Sequence, residues 1–139
     1  MTATMMTTKT NELSRTRLLT GRVLTGLSAA FLIFDGGMKV LKPPFVILAT
    51  VQLGYPESTI IGIGIVLLGC TLLYLIPRTS ILGALLLTAY MGGAVATHVR
   101  AQQPVFNIVF SIVFACLVWG GIWLREPRLA ELLPLKRNA

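Results

Sequence analysis

Asp35 and Lys39 could do chemistry together, because both lie within an otherwise apolar stretch of the sequence. A charged side chain inside a membrane span costs about 3 kcal/mol on insertion scales and usually faces a partner in the bundle interior. Lys39 follows Asp35 by four residues, so a helix places both on one face in the favourable order for an ion pair. Two interpretations follow: a structural pair, or a group that binds a ligand or relays a proton, since Gly36 and Gly37 leave room there for a ligand or a second helix.

His98 and Arg100 end a second apolar stretch and are the other side chains suited to binding. His98 could donate a proton, donate a hydrogen bond to a quinone oxygen, or be an ordinary histidine at the membrane interface. Arg100 could extend its head group to the interface or bind an anionic or carbonyl group. A single histidine without a cysteine cluster supplies too few soft ligands, so no metal is expected.

The composition indicates the environment that must position these residues. The chain has 139 residues, of which 55% are hydrophobic and 12% are charged, whereas an average soluble domain is about 25% charged. A soluble fold of this size would leave much apolar surface in water. Lipid accepts that surface but requires every backbone polar group to be paired internally, which long helices achieve. The apolar stretches are continuous, without the alternation of a membrane barrel.

Four apolar stretches are long enough to cross roughly 30 Å of hydrocarbon as helices, and a fifth is too short. The predicted fold class is therefore all-α: a bundle of four transmembrane helices with a short interfacial helix between the first and second spans. The Thr-rich start of the chain lacks periodicity and predicts disorder. The predicted boundaries are a disordered cytoplasmic N-terminus at 1–17, spans at about 18–41, 59–76, 81–99 and 105–124, an interfacial segment at 45–53, and a cytoplasmic tail at 125–139.

Lysine and arginine are unevenly distributed between the two sides that four spans create. Lys39, Lys42 and Arg100 fall on one side, and the other nine fall on the side of both termini. Since cytoplasmic flanks carry the excess of these residues, we predict a multi-pass protein of the cell membrane with cytoplasmic N- and C-termini. The net charge of +7 then comes from residues that flank the spans and set their orientation, and no nucleic-acid partner is expected.

This topology brings polar side chains from distant parts of the sequence to the outer end of the bundle. The first and third spans end there and the fourth begins there, so Asp35, Lys39, His98, Arg100 and Asn107 are expected to converge. At about 1.5 Å per residue, Lys39 and His98 lie near one level and Asp35 a turn or two deeper. Direct contact between Asp35 and His98 would require helix tilt or a bridging water.

Two further patterns indicate packing. Tyr74, Trp119 and Trp123 lie near the predicted inner boundary, which is typical of an aromatic belt. Glycine recurs within the spans, where small residues allow helices to approach closely. The glycines of the second to fourth spans are Gly62, Gly64, Gly69, Gly83, Gly92, Gly93, Gly120 and Gly121.

Several segments resemble a known family of membrane proteins. Residues 88–100, Thr-Ala-Tyr-Met-Gly-Gly-Ala-Val-Ala-Thr-His-Val-Arg, resemble the third-span motif of the DoxX-like family of small four-span membrane proteins. The segments 36–39, 52–56 and 123–128 are also similar, and the resemblance covers roughly residues 18–134. It implies a four-helix bundle. The wider superfamily includes membrane subunits associated with quinone-linked sulfur oxidation and with redox-stress assemblies, although a shared fold does not determine function.

The predicted function is binding of a quinone or a small lipophilic molecule at the outer end, as a redox-associated subunit of a quinone-linked oxidoreductase. Whether the chain itself is catalytic stays open, because it has no recognisable flavin, haem or iron–sulfur ligation. The alternatives are a non-catalytic scaffold, with a protein partner or a second copy of the chain, and a proton pathway. The predicted catalytic residues are Asp35 and His98, and the predicted ligand-binding residues are Lys39, Arg100, Tyr90 and Asn107.

Overall fold

The structure, a computed structural model, describes the backbone of residues 2–132 and the side chains of residues 15–129 and 132. Residues 133–139, which are the last seven residues of the predicted tail at 125–139, lie outside the described residues. The described chain is helical, with one short 3-10 turn at Glu57–Thr59. Its helices are α1 (Thr2–Leu41), α2 (Pro44–Gln52), α3 (Ile60–Leu75), α4 (Ser80–Arg100), α5 (Val105–Arg125) and α6 (Pro127–Leu132).

The predicted fold class is confirmed. Four helices are long and apolar enough to cross a membrane, and the short helix α2 lies between the first two of them. The ends of α3, α4 and α5 lie within one residue of the predicted spans. Outward-facing side chains are apolar, as Leu27 at 67% exposed and Phe106 at 73% exposed illustrate. Such a surface is suited to lipid, so the chain is a multi-pass membrane protein.

Helix α1 begins earlier than the sequence predicted. It starts at Thr2 and so takes in the Thr-rich segment for which the sequence predicted disorder, although its apolar stretch is confined to Arg15–Leu41. No glycine or proline precedes Gly21, so no helix-breaking residue interrupts this segment. The helix ends as predicted, before Pro43 and Pro44, with Lys42 in the left-handed region at φ 53°.

The four spanning helices form a closed ring in the order α1, α3, α4, α5. Helix α1 contacts α3 and α5, and α4 contacts the same two helices. Short turns join α3 to α4 and α4 to α5, so these neighbours are antiparallel. One end of the ring carries α2 and the turn between α4 and α5, and is called the α2 end. The opposite end, called the α6 end, carries the turn between α3 and α4 together with α6.

Tyr74 anchors the core near the α6 end, which corrects the prediction that it belongs to an aromatic belt. Its side chain is fully buried. The hydroxyl donates a 2.8 Å hydrogen bond to the carbonyl oxygen of Val118 and lies 3.4 Å from Oγ1 of Thr25. One side chain therefore links α3 to both α5 and α1, and its polar tip is satisfied away from water.

Close backbone approach at the same end explains two glycines. A Cβ at Gly83 would lie 2.2 Å from the backbone nitrogen of Tyr74, so α4 meets the backbone of α3 there. A Cβ at Gly121 would lie 2.6 Å from Oγ1 of Thr25, so α5 meets α1 in the same way. Helices in lipid gain their association energy from such tight packing.

Candidate functional site

Asp35 and Lys39 form an ion pair near the end of α1. The Nζ of Lys39 donates a 2.5 Å hydrogen bond to Oδ2 of Asp35, and the two side chains are 19% and 39% exposed for Lys39 and Asp35 respectively. The spacing of four residues places both on one helical face, as the sequence predicted. A charge pair that retains this much accessible surface can contact a ligand as well as each other.

A cavity of about 890 Å³ lies at the α2 end among all four spanning helices. Asp35, Lys39, Tyr90 and His98 all line it, so four of the six predicted site residues share one space. Residues of α2 line it too, including Val46 and the buried Thr50. The helix that the sequence predicted to be interfacial therefore covers the mouth of the cavity.

His98 lines this cavity and carries a ring nitrogen without a partner. Its Nδ1 is buried and has no hydrogen-bond partner among the described residues. A buried ring nitrogen without a partner costs roughly 1–3 kcal/mol, so a ligand that pairs with it once the ring turns toward the cavity would regain that free energy. A neutral imidazole nitrogen either donates or accepts a hydrogen bond, depending on the tautomer.

Two hydroxyls form the wall beside His98. Thr97 Oγ1 donates a 2.8 Å hydrogen bond to the carbonyl oxygen of Gly93, and the hydroxyl of Tyr55 lies 3.0 Å from the same Oγ1. Since the Thr97 proton is already used, Tyr55 is the donor. This bond ties the chain segment after α2 to the end of α4.

The four-span architecture agrees with the comparison of the sequence with known families. The sequence model of the DoxX-like family matches residues 23–121, which include the second and third spans, most of the first and fourth, and every lining residue of the cavity. The chain belongs to the DoxX-like family. The resemblance drawn from the sequence motifs is therefore confirmed. No curated protein and no solved structure matches the chain.

Two of the predicted binding residues of this DoxX-like protein do not line the cavity. Arg100 donates a 3.2 Å hydrogen bond from its guanidinium to the carbonyl oxygen of Leu53, at the end of α2. Asn107 has a long contact of 3.5 Å with the side-chain oxygen of Gln103. Both residues lie at the α2 end, as predicted, but the rotation of their helices directs their side chains away from the cavity. Arg100 instead holds α2 in place.

The glycines beside Asp35 have different surroundings in the DoxX-like bundle. A Cβ at Gly36 would lie 2.8 Å from the Leu68 side chain, and a Cβ at Gly64 would lie 2.9 Å from the Gly36 carbonyl oxygen. Gly36 therefore makes room for a second helix, which was one of the two predicted uses. At Gly37, no neighbouring atom lies within 4 Å of the position that a Cβ would take.

Sequence reasoning missed the aromatic wall of the cavity. Phe31 of α1 packs against Phe110 and Phe114 of α5, with ring centroids 5.6 Å and 4.7 Å apart. All three line the cavity. Phe106, Phe110 and Phe114 recur every fourth residue, a helical spacing that could have revealed one aromatic face on α5. The contribution of Phe31 had no signal in the sequence, because it depends on how α1 and α5 meet.

Proposed function

We propose that this DoxX-like protein binds a quinone, or a similarly small lipophilic molecule with a carbonyl-bearing head group, in the cavity below α2. The observation that carries the proposal is a small set of polar side chains within an otherwise apolar wall. Ligand sites of this volume combine mostly apolar linings with a few well-placed polar groups. His98 is one of these side chains, and its Nδ1 is buried without a hydrogen-bond partner among the described residues.

The polar groups can serve both redox states of such a molecule. An N–H on His98 donates to a quinone carbonyl oxygen, and the other tautomer accepts from a quinol hydroxyl. The ammonium of Lys39 has three donors and uses one on Asp35. The second oxygen of the Asp35 carboxylate remains available to accept a proton from a quinol. In this proposal the chain binds the quinone and relays a proton, while a partner protein supplies the electron carrier.

The test is to measure binding of a short-tailed ubiquinone analogue to purified protein in lipid nanodiscs. His98→Ala is expected to weaken binding about tenfold, which corresponds to about 1.4 kcal/mol. Asn107→Ala is the matched control, because Asn107 is a polar residue at the same end that does not line the cavity. Extraction and mass spectrometry of protein taken from its native membrane would show whether a quinone accompanies it at near one per chain.

Equal affinity in wild type, His98→Ala and the Asp35→Asn, His98→Ala double variant would reject quinone binding in this cavity. The closed Asp35–Lys39 pair supports the second candidate, a non-catalytic scaffold in which the pair stabilises α1 and a partner does the chemistry. That candidate expects Asp35→Asn to lower stability and to leave ligand binding unchanged.

We further propose that the α2 end faces away from the cytoplasm, with both termini inside. The support is the distribution of lysine and arginine: among the described side chains, Lys39, Lys42 and Arg100 belong to the α2 end, and the others belong to the α6 end. A single cysteine placed at the exposed Ser58, in a chain freed of Cys70 and Cys116, would be labelled by a membrane-impermeant reagent in intact cells. Labelling only after the membrane is broken would reverse the assignment.

A further inference from the structure

The polarity of the side chains that line the cavity decreases with distance from the α2 end. Polar side chains of Lys39, His98 and the Tyr55–Thr97 pair lie toward the α2 end. Ala89, which also lines the cavity, is nine residues before His98 on α4, and so lies about 14 Å deeper. The cavity therefore runs from a polar region beneath α2 into a mostly apolar region at the depth of the hydrocarbon, where Tyr90 also lines it.

Helices α3 and α4 pack tightly at one end, whereas open space lies beside them toward the other. Near the α6 end, Gly83 brings α4 against the backbone of Tyr74. Toward the α2 end, Gly62 of α3 and Gly93 of α4 both line the cavity and have nothing within 4 Å of the position of a Cβ. No neighbouring atom therefore fills the space beside these two glycines.

The open space beside these glycines lies where cavity-lining residues are also exposed. Gly62, Val66, Ala89 and Gly93 all line the cavity and are all exposed, with Val66 56% exposed. Three of these four residues have the smallest side chains available, so little side-chain volume fills the space. The described residues thus leave a lateral opening between α3 and α4, called here the α3–α4 gap, at the depth of the lipid tails.

We propose that the site takes an amphiphile whose head group lies beneath α2 and whose apolar tail passes through the α3–α4 gap into the bilayer. This inference rests on the proposed function and names the class of ligand more closely: a head group carrying hydrogen-bond acceptors on a long hydrocarbon or isoprenoid tail. Lipid tails and the cavity wall are similarly apolar, so passage of the tail from one to the other costs little free energy. Tail length is then not limited by the volume of the cavity.

The experiment compares quinones that share one head group and differ only in the tail: none, a decyl chain and a long isoprenoid chain. Wild-type protein in nanodiscs is expected to bind the isoprenoid form at least as tightly as the decyl form. Gly93→Leu places a large side chain in the α3–α4 gap and should weaken binding of the isoprenoid form about tenfold more than binding of the form without a tail.

Gly92→Leu is the matched control. Gly92 neighbours Gly93 on α4, is likewise exposed with no atom within 4 Å of a Cβ, and does not line the cavity. Binding of all three quinones to Gly92→Leu should equal that to wild type. Wild-type protein that binds the short forms and rejects the isoprenoid form would overturn the inference and leave the proposed function standing. Equal binding of the isoprenoid form by the two leucine variants would also overturn the inference. Failure of every quinone to bind the wild-type protein would instead reject the proposed function itself.

Discussion

Lys39 Nζ and Asp35 Oδ2 are 2.5 Å apart, one helical turn from each other on α1, at the edge of the cavity below α2. The pair has two roles, one in the stability of the helix and one in ligand binding. As a closed pair, the two opposite charges compensate each other, which lowers the free-energy cost of placing them in a membrane span. As part of a cavity wall it keeps unused donors and acceptors that a ligand can reach.

Removing one charge of this pair is expected to destabilise the protein more than removing both. Asp35→Asn leaves the Lys39 ammonium without its partner and should cost about 1–3 kcal/mol, less than a fully buried pair because both side chains retain exposure. The Asp35→Asn, Lys39→Gln double variant should recover part of this loss. Melting temperatures of the wild type and the two variants are measured in one detergent. Equal melting temperatures would show that the pair contributes nothing to stability.

The buried hydroxyl of Tyr74 supports a separate prediction about the core. Tyr74→Phe removes the hydrogen bond to the Val118 carbonyl oxygen and keeps the ring, so it should cost about 1–1.5 kcal/mol. Tyr55→Phe removes a hydroxyl at the exposed α2 end and is expected to cost less. The comparison uses melting temperatures, and a larger loss in Tyr55→Phe would contradict the assignment of Tyr74 as the core anchor.

Gly83→Ala is expected to be the most disruptive of the conservative glycine substitutions. Its new methyl group would lie 2.2 Å from the backbone nitrogen of Tyr74, and backbone cannot rotate away as a side chain can. Overpacking of this kind costs about 1–3 kcal/mol. Gly69→Ala is the control on α3, because nothing lies within 4 Å of its Cβ position. The prediction fails if both variants show the same folded yield and melting temperature.

Release of α2 is expected when its two attachments to α4 are removed. Tyr55→Phe breaks the contact with Thr97, and Arg100→Gln breaks the contact with the Leu53 carbonyl oxygen. The double variant should show faster hydrogen–deuterium exchange in α2 and faster dissociation of any cavity ligand, with α5 unchanged. Unaltered exchange in α2 would mean that these two bonds do not hold it over the cavity.

Much of the fold could be predicted because it follows from local physics. The length of each apolar stretch against the hydrocarbon thickness predicted the number of spans and most of their ends. The prolines at 43 and 44 predicted where α1 ends. The structure continues α1 back to Thr2, through the Thr-rich segment for which the polar composition predicts disorder.

The candidate site was only partly predictable. Convergence at the α2 end followed from span topology, and Asp35, Lys39, Tyr90 and His98 do line one cavity. Arg100 does not, because a hydrogen bond to Leu53 directs its side chain toward α2. Sequence spacing specifies the level of a residue along a helix, whereas the direction of its side chain depends on the rotation of that helix against its neighbours.

The sequence by itself determined the membrane environment, the four spans, the family motifs and the Asp35–Lys39 pair, because each depends on composition or on residues within a turn of one another. Only the tertiary structure decided the cavity, its aromatic wall and the α3–α4 gap. These depend on where backbones of distant segments touch, as at Gly83 against Tyr74, and where open space is left beside them, as at Gly62 and Gly93. Neither can be read from the spacing of residues along one helix.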